Sequence, residues 1–435
     1  MTTLLAPVRS LLGGVALLLL GHGLLNTLLT LRGVAEGYSA SLIGLLMSGY
    51  FLGYLLGTWT APSLIRRVGH IRAFACCSAL GAITALLHVL WVNPWLWLIL
   101  RVLYGVALVG LYMVVESWLN AQTSSSERGQ VFALYMIVNL GALAVAQQLL
   151  HMASPEQFTL FALASILICA ALMPITLTRQ AQPSLPDAPT ADLLALARIT
   201  PLPLAAAGLS GLALGGFWGL APVYATQVGF SPSQVGLLMS LTILGGAILQ
   251  WPIGRFSDTH DRRKIILWVS ATATLVALII SQRNADTGQL ALMFLWGGLS
   301  FSIYSVAVAL MADQLKPDEI LSGSSGLLLA NGIGSAMGPL LAGGFMHLLG
   351  PQGLPLYFAL ALGCLVVFIC YRSRRVIDLL TEPAGQFTPM LRTSHTVLEL
   401  MPDNPVEDES SEVKTPHTSN KTNLNIAPSS MSQQS

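Results

Sequence analysis

Arg101 is a permanent cation inside an apolar run, six residues beyond Trp95. At 1.5 Å per helical residue that is a depth of ~9 Å. An arginine there is costly unless it faces a cavity, finds a partner or snorkels back to the interface. It has the chemistry to hold an anionic group of a solute or to tune a nearby proton carrier. His22 and Asn26 are four residues apart in another apolar run, so they share one helix face. An imidazole at that depth is suited to carrying a proton, or else is a neutral packing residue. Asn139 and Asn331 each lie nine residues into an apolar run, or ~13 Å along a helix. A buried amide is expensive without a partner, which here is either a solute or another helix. A polar loop runs from Gly254 to Lys264 and holds Asp258 beside Arg262 and Arg263. Gly254 permits a tight exit from a helix, and Asp258 is placed to pair with either arginine.

No catalytic constellation accompanies these residues. None of the lysines follows the glycine of a phosphate loop, and there is no H-E-x-x-H. The histidines are scattered. The five cysteines, Cys76, Cys77, Cys169, Cys364 and Cys370, lie in apolar runs without metal-ligand spacing and read as packing residues. The expectation is therefore no enzyme, no cofactor and no metal.

The elements that hold these residues are membrane spans. The 435 residues are 54% hydrophobic and only 9% charged, with a mean hydropathy of +0.68. Soluble chains carry about 25% charge, so lipid is the expected solvent. Twelve apolar spans are expected, near 9–31, 41–64, 73–92, 95–119, 130–151, 158–178, 201–225, 233–251, 265–281, 290–312, 322–348 and 354–371. The first is too long for a signal peptide. Residues 179–200 read as a polar connector between two six-helix halves, 1–178 and 201–375. Residues 376–435, rich in Ser, Thr, Pro and acids, read as a disordered tail. Of the 21 Lys and Arg, placing the N-terminus inside leaves only Arg32 and Arg283 outside and Arg101 within a span. That bias puts both termini in the cytoplasm. The net charge of +1 gives no reason to expect a nucleic-acid partner.

The halves repeat. Residues 37–48, GYSASLIGLLMS, and 229–240, GFSPSQVGLLMS, share eight of twelve positions at an offset of 192. The same offset places Gly53 on Gly245, Arg72 on Lys264, Gly105 on Gly297, Tyr112 on Tyr304 and Asn139 on Asn331. Six helices is an even number, so the copies run in the same direction, related by an axis along the membrane normal.

On this frame several motifs resemble the major facilitator superfamily. The Gly254-Arg255-Phe256-Ser257-Asp258 loop with Arg262-Arg263 resembles the family's loop signature. Thr259 and Asp261 replace its basic residue and second glycine. The first-half counterpart keeps Gly69 and Arg72 but has Arg66 where the acid belongs, which puts a first-half lock in question. Glu116 with Arg128-Gly129 resembles the pairing of sugar porters. A plain topology charge on a solvated loop is the alternative, and is worth little energetically. Arg101-x-x-x-Gly105 resembles the family's fourth-span motif, and Gly334 to Gly344 its glycine-proline packing motif. The Val115-Glu116-Ser117 and Tyr135-Met136 neighbourhoods are similar to the YcaD-type bacterial branch.

The resemblance implies an all-α membrane protein, a small-molecule substrate, secondary transport with protons as a coupling ion, a monomer, and the bacterial inner membrane. It also implies that helices 1, 4, 7 and 10 line a central cavity. Their candidates are His22, Asn26, Arg101, Tyr104, Tyr112, Trp218, Tyr224, Trp296, Ser302 and Tyr304, with Asn139 and Asn331 at the interface between halves. No span holds an acid at mid-depth, so neutral or anionic solutes are favoured over cations. A transporter-like sensor that signals without flux is the competing class.

Overall fold

The computed structural model describes residues 2–123, 127–176, 193–283, 286–316 and 319–373. The tail and most of the connector expected from the sequence lie outside these residues. The described residues are entirely helical, with twelve helices long and apolar enough to cross a membrane. They are α1 (Thr2–Ala35), α2 (Ala40–Val68), α3 (His70–Leu90), α4 (Pro94–Gln122), α5 (Arg128–Gln148), α6 (Phe158–Ala170, continued by Leu172–Thr176), α7 (Pro201–Gln227), α8 (Pro232–Ser257), α9 (Arg262–Ile280), α10 (Thr287–Ala312), α11 (Ile320–Leu349) and α12 (Gly353–Ser373). A short helix, Leu193–Ile199, precedes α7.

The helix ends follow local chemistry. Ser39 caps α2 by accepting from the Leu42 amide at 3.2 Å. Asn93 caps α4 by accepting from Trp95 and Leu96, with Pro94 in the first turn. Ser231 and Gln234 form a capping box on α8. Each side chain satisfies a donor that a helix start leaves orphaned. Gly37 and Gly229, 192 residues apart, both have positive φ (75° and 105°) in the turns after α1 and α7. The repeat thus extends to backbone conformation.

It extends to packing as well. A Cβ on Gly53 of α2 would sit 2.0 Å from the Val102 carbonyl oxygen of α4. A Cβ on Gly245 of α8 would sit 2.0 Å from that of Phe294 on α10, the same pair shifted by 192. Gly105 against Tyr50 and Gly297 against Thr242 repeat the relation, each at 2.2 Å. Without a hydrophobic force between helices in lipid, such backbone approach is what holds the spans together.

The halves meet chiefly through α1, α2 and α5 on one side and α7, α8 and α11 on the other. Here too the contacts come in register. A Cβ on Gly44 would lie 2.3 Å from the Pro339 carbonyl oxygen, and one on Gly236 would lie 2.5 Å from that of Gln147. Ser48 accepts from the Leu340 amide at 3.1 Å. Its counterpart Ser240 accepts from the Gln148 side chain at 2.5 Å and donates to the Ala144 carbonyl at 2.7 Å. Ser41 donates to the Gly343 carbonyl at 3.2 Å. All these contacts lie toward the end of the bundle that carries the turns at Gly37 and Gly229. Deeper along α2 and α11, Phe51, Tyr54, Ser335 and Asn331 line a cavity instead.

Candidate functional site

The cavity has an empty volume of about 930 Å³, including its part open to solvent. Both halves wall it. From the first come His22 and Asn26 on α1, Tyr50, Phe51 and Tyr54 on α2, Tyr112 on α4, and Asn139 and Leu143 on α5. The second supplies Leu214 and Trp218 on α7, Phe301 and Tyr304 on α10, and Asn331 and Ser335 on α11. Seven of the residues singled out from the sequence therefore line this one cavity: His22, Asn26, Tyr112, Trp218, Tyr304, Asn139 and Asn331. Four others do not. Tyr104 is buried behind His22, with its hydroxyl 3.2 Å from Nδ1. Tyr224 bonds Gln289. Trp296 stacks on Phe358 with ring centroids 4.2 Å apart. Ser302 back-bonds to Gly298 at 2.6 Å.

Arg101 is only 1% exposed and is not among the wall residues. It sits one side chain behind them. Its Nη2 donates to Asn26 Oδ1 at 2.8 Å and approaches the Met47 sulfur at 3.3 Å. Its guanidinium carbon lies 4.6 Å from the Tyr50 ring centre and 5.9 Å from that of Tyr104. Nε and Nη1 have no hydrogen-bond partner. A charged hydrogen bond contributes about 1.5–3 kcal/mol and each ring contact about 0.5–2 kcal/mol. Against these stand an insertion cost of at least ~2.5 kcal/mol and about 1–3 kcal/mol for each orphaned donor. The favourable contacts do not clearly exceed the costs, so Arg101 is an under-satisfied cation beside the cavity.

Asn26 links the halves. Its Nδ2 donates to the Trp218 carbonyl oxygen at 3.0 Å while its Oδ1 holds Arg101. The amides at 139 and 331 do not bridge in this way. Asn139 bonds the Tyr135 carbonyl at 3.4 Å and the Tyr112 hydroxyl at 3.5 Å, and Asn331 donates to the Ala207 carbonyl at 2.9 Å. All these partners lie within each residue's own half. The sequence offered these two as cross-interface candidates, but the amide one turn from His22 makes that contact.

The loop residues form a separate cluster. Arg262 is buried, donating to Asp313 at the end of α10 (2.7 Å), to the Ala309 carbonyl (2.9 Å) and to Asp258 (3.0 Å). It pins the ends of α8, α9 and α10 together. Arg263 is exposed, so of the two arginines placed near Asp258, Arg262 takes the ion pair. Gly254 accepts the Asp258 amide at 3.2 Å. In the first half Gly69 ends α2 with φ at 85°, and Arg72 is exposed on α3. Glu116 is fully buried and accepts from the Tyr135 hydroxyl at 2.7 Å. Arg128 opens the helix that carries Tyr135. Among the described residues no cluster of three or more His, Cys, Asp or Glu is placed to hold a metal.

Sequence reasoning missed Tyr50, Phe51 and Tyr54, because the resemblance assigns the lining to helices 1, 4, 7 and 10. The signal was present: Tyr50 and Tyr54 are four apart on the helix whose Gly49, Gly53 and Gly57 mark its packed face.

A family model described as Major Facilitator Superfamily matches residues 11–205 and 203–398. An uncharacterized MFS-type transporter, YcaD, of Escherichia fergusonii is 30% identical over 335 residues, or 77% of this chain and 87% of that protein. Among solved structures, the nucleoside transporter NupG superposes with a TM-score of 0.68 at 15% identity, covering 85% of this chain and 99% of that one. A bacterial homolog of the human lysosomal transporter Spinster, in an inward-facing and occupied conformation, superposes at 0.69 and 13% identity, covering 85% and 96%.

Proposed function

We propose that this chain, which belongs to the Major Facilitator Superfamily, is a secondary transporter carrying a small organic solute across the bacterial inner membrane by alternating access. The observation that carries this is one central cavity walled by both halves, with the halves in register contact toward one end of the bundle. Two rigid units around a shared site can exchange which end is closed by rocking about that site. The basic residues place the Gly37 and Gly229 turns outside, so the closed end is external and this conformation faces the cytoplasm. Both termini are then cytoplasmic.

His22 is the proton carrier in this reading. It lies on the cavity wall, bonded to Tyr104 and next to the Arg101 cluster. A proton gained there places a second cation beside Arg101, and the two states of the wall differ by one full charge. Asn139, Asn331, Tyr112 and Tyr304 supply pseudosymmetric polar contacts to the solute, and Trp218 an apolar surface. The protein acts as a monomer, since each chain encloses a complete cavity.

The test is flux. Proteoliposomes containing the purified protein are exposed to a mixed pool of small metabolites, and their contents are measured by mass spectrometry against empty vesicles. Protein-dependent entry of at least one solute, enhanced by an imposed proton gradient, is expected. Solute binding with no flux of any bound solute would favour the sensor reading.

A further inference from the structure

Arg101 lacks a counter-charge among the described residues. Glu116 is the only acid in the twelve spans. It lies fifteen residues along the same helix, ~22 Å away at 1.5 Å per residue, and it is bonded to Tyr135. Arg101 makes no ion pair among the described residues, and two of its three nitrogens have no partner. A fully buried cation of this kind has no balancing charge from the described residues.

We propose that the transported solute is a small organic monoanion, a carboxylate on a flat apolar body, and that its carboxylate neutralises Arg101. This rests on the transport reading above and names its substrate class. Two residues in direct contact with Arg101, Asn26 and Tyr50, line the solute space. The facing wall is aromatic: Trp218 and Phe301 lie with ring centroids 6.0 Å apart, and Phe51 and Tyr304 also face the space. A planar apolar body fits such a wall, because ring faces and edges offer area without a hydrogen-bond demand.

The geometry also specifies how binding is felt. A carboxylate engages a guanidinium through two parallel bonds. Both forks open to an arginine, Nη1 with Nη2 or Nε with Nη2, use Nη2. In this structure that atom donates to Asn26 Oδ1. Nη2 has two N–H groups, one for each fork, so an anion that takes the fork bonded to Asn26 displaces that amide, whose other end holds the Trp218 carbonyl of the opposite half. Binding through that fork in one half loosens a contact between the halves, which is the differential contact that a ligand-driven shift requires.

Matched probes test the class directly on the purified full-length protein in nanodiscs. Benzoate, nicotinate and indole-3-acetate are each titrated against their neutral amides, benzamide, nicotinamide and indole-3-acetamide. Binding is read by calorimetry and by the rise in Tm that a native-state ligand produces. At least one acid is expected to bind tenfold or more tightly than its amide. Arg101→Gln is expected to lose that preference, binding each acid and its amide within about threefold of each other. Arg101→Lys keeps the charge without the fork and should lose most of the acid affinity. Equal binding of acid and amide, amides binding better, no binding of any acid, or an unchanged preference in a folded Arg101→Gln protein would each overturn the proposal. The comparison within the unsubstituted protein stands even if that variant does not fold. Flux is scored separately: acid binding without flux refutes transport and leaves the anion site, whereas flux of neutral solutes without acid binding does the reverse.

Discussion

Gly44→Ala is expected to open the external end of the molecule. The added Cβ would meet the Pro339 carbonyl oxygen at 2.3 Å and its carbon at 3.1 Å. Ordinary contact begins near 3.4 Å, so α2 and α11 must separate by about 1 Å. Both groups are backbone, so no side chain can swing aside. Overpacking of this kind costs about 1–3 kcal/mol, and it is charged only to the conformation in which the halves touch. The helix-propensity gain of alanine over glycine, about 1 kcal/mol, acts in every conformation and cancels. The closed-to-open ratio at the external end should therefore fall by roughly 5–150-fold. The assay is labelling of a cavity cysteine, Leu214→Cys, by a membrane-impermeant maleimide added to intact cells, with the five native cysteines replaced. Gly44→Ala should raise the labelling rate by at least fivefold. Gly236→Ala, whose Cβ would meet the Gln147 carbonyl oxygen at 2.5 Å, should act the same way. Gly141→Ala is the control, since nothing lies within 4 Å of its new Cβ. Equal rates in Gly44→Ala and Gly141→Ala would refute the idea that backbone approach between halves sets the conformation.

Other outcomes follow from the same contacts. Asp313→Asn leaves buried Arg262 with a weaker set of partners and should cost about 3 kcal/mol, read as a fall in thermal stability, whereas Asp258→Asn, at 31% exposure, should cost under ~1 kcal/mol. Tyr135→Phe removes the 2.7 Å bond to buried Glu116 and should cost about 1.5–3 kcal/mol in the same measurement. Arg283, with help from the Gln289 amide, holds the Asp286 carboxyl below its ordinary value of 3.8. The charged cap on α10 is therefore present above that value and lost as pH falls through the lowered one, so the protection factor of the Gln289 amide, relative to its intrinsic exchange rate at each pH, should fall in acid, and Asp286→Asn should remove that pH dependence. Cysteines at exposed Arg263 and Asp286 should label from opposite sides of the membrane; Arg262 is buried and unsuited to that test.

Most of the frame was legible because its signals are one-dimensional. Apolar run length set the spans, and the offset of 192 carried from sequence into glycine contacts, positive-φ turns and the Ser48–Ser240 pair. Six of the seven wall residues, all but Trp218, were legible because an amide, imidazole or tyrosine within lipid demands an explanation. What escaped was azimuth. Apolar spans carry no polar face that reveals their rotation, so the Tyr50–Tyr54 spacing marked one face of α2 without showing that this face meets the cavity. Arg101 was found by its cost, but its position behind Asn26 depends on packing between three helices. The Asn26–Trp218 bridge was invisible for the same reason, since it uses a backbone carbonyl that no side-chain pattern marks.

The central claim is that two halves rock about one cavity, and paired distances test it most directly. Spin labels at Ser41 and Leu348 span the external end, and labels at Arg72 and Lys264 span the cytoplasmic end. Pulsed electron resonance on the protein in nanodiscs should find the external pair short and the cytoplasmic pair long in the conformation described here. Gly44→Ala with Gly236→Ala should lengthen the first while shortening the second. Distances that stay fixed at both ends, or that lengthen together, would contradict alternating access.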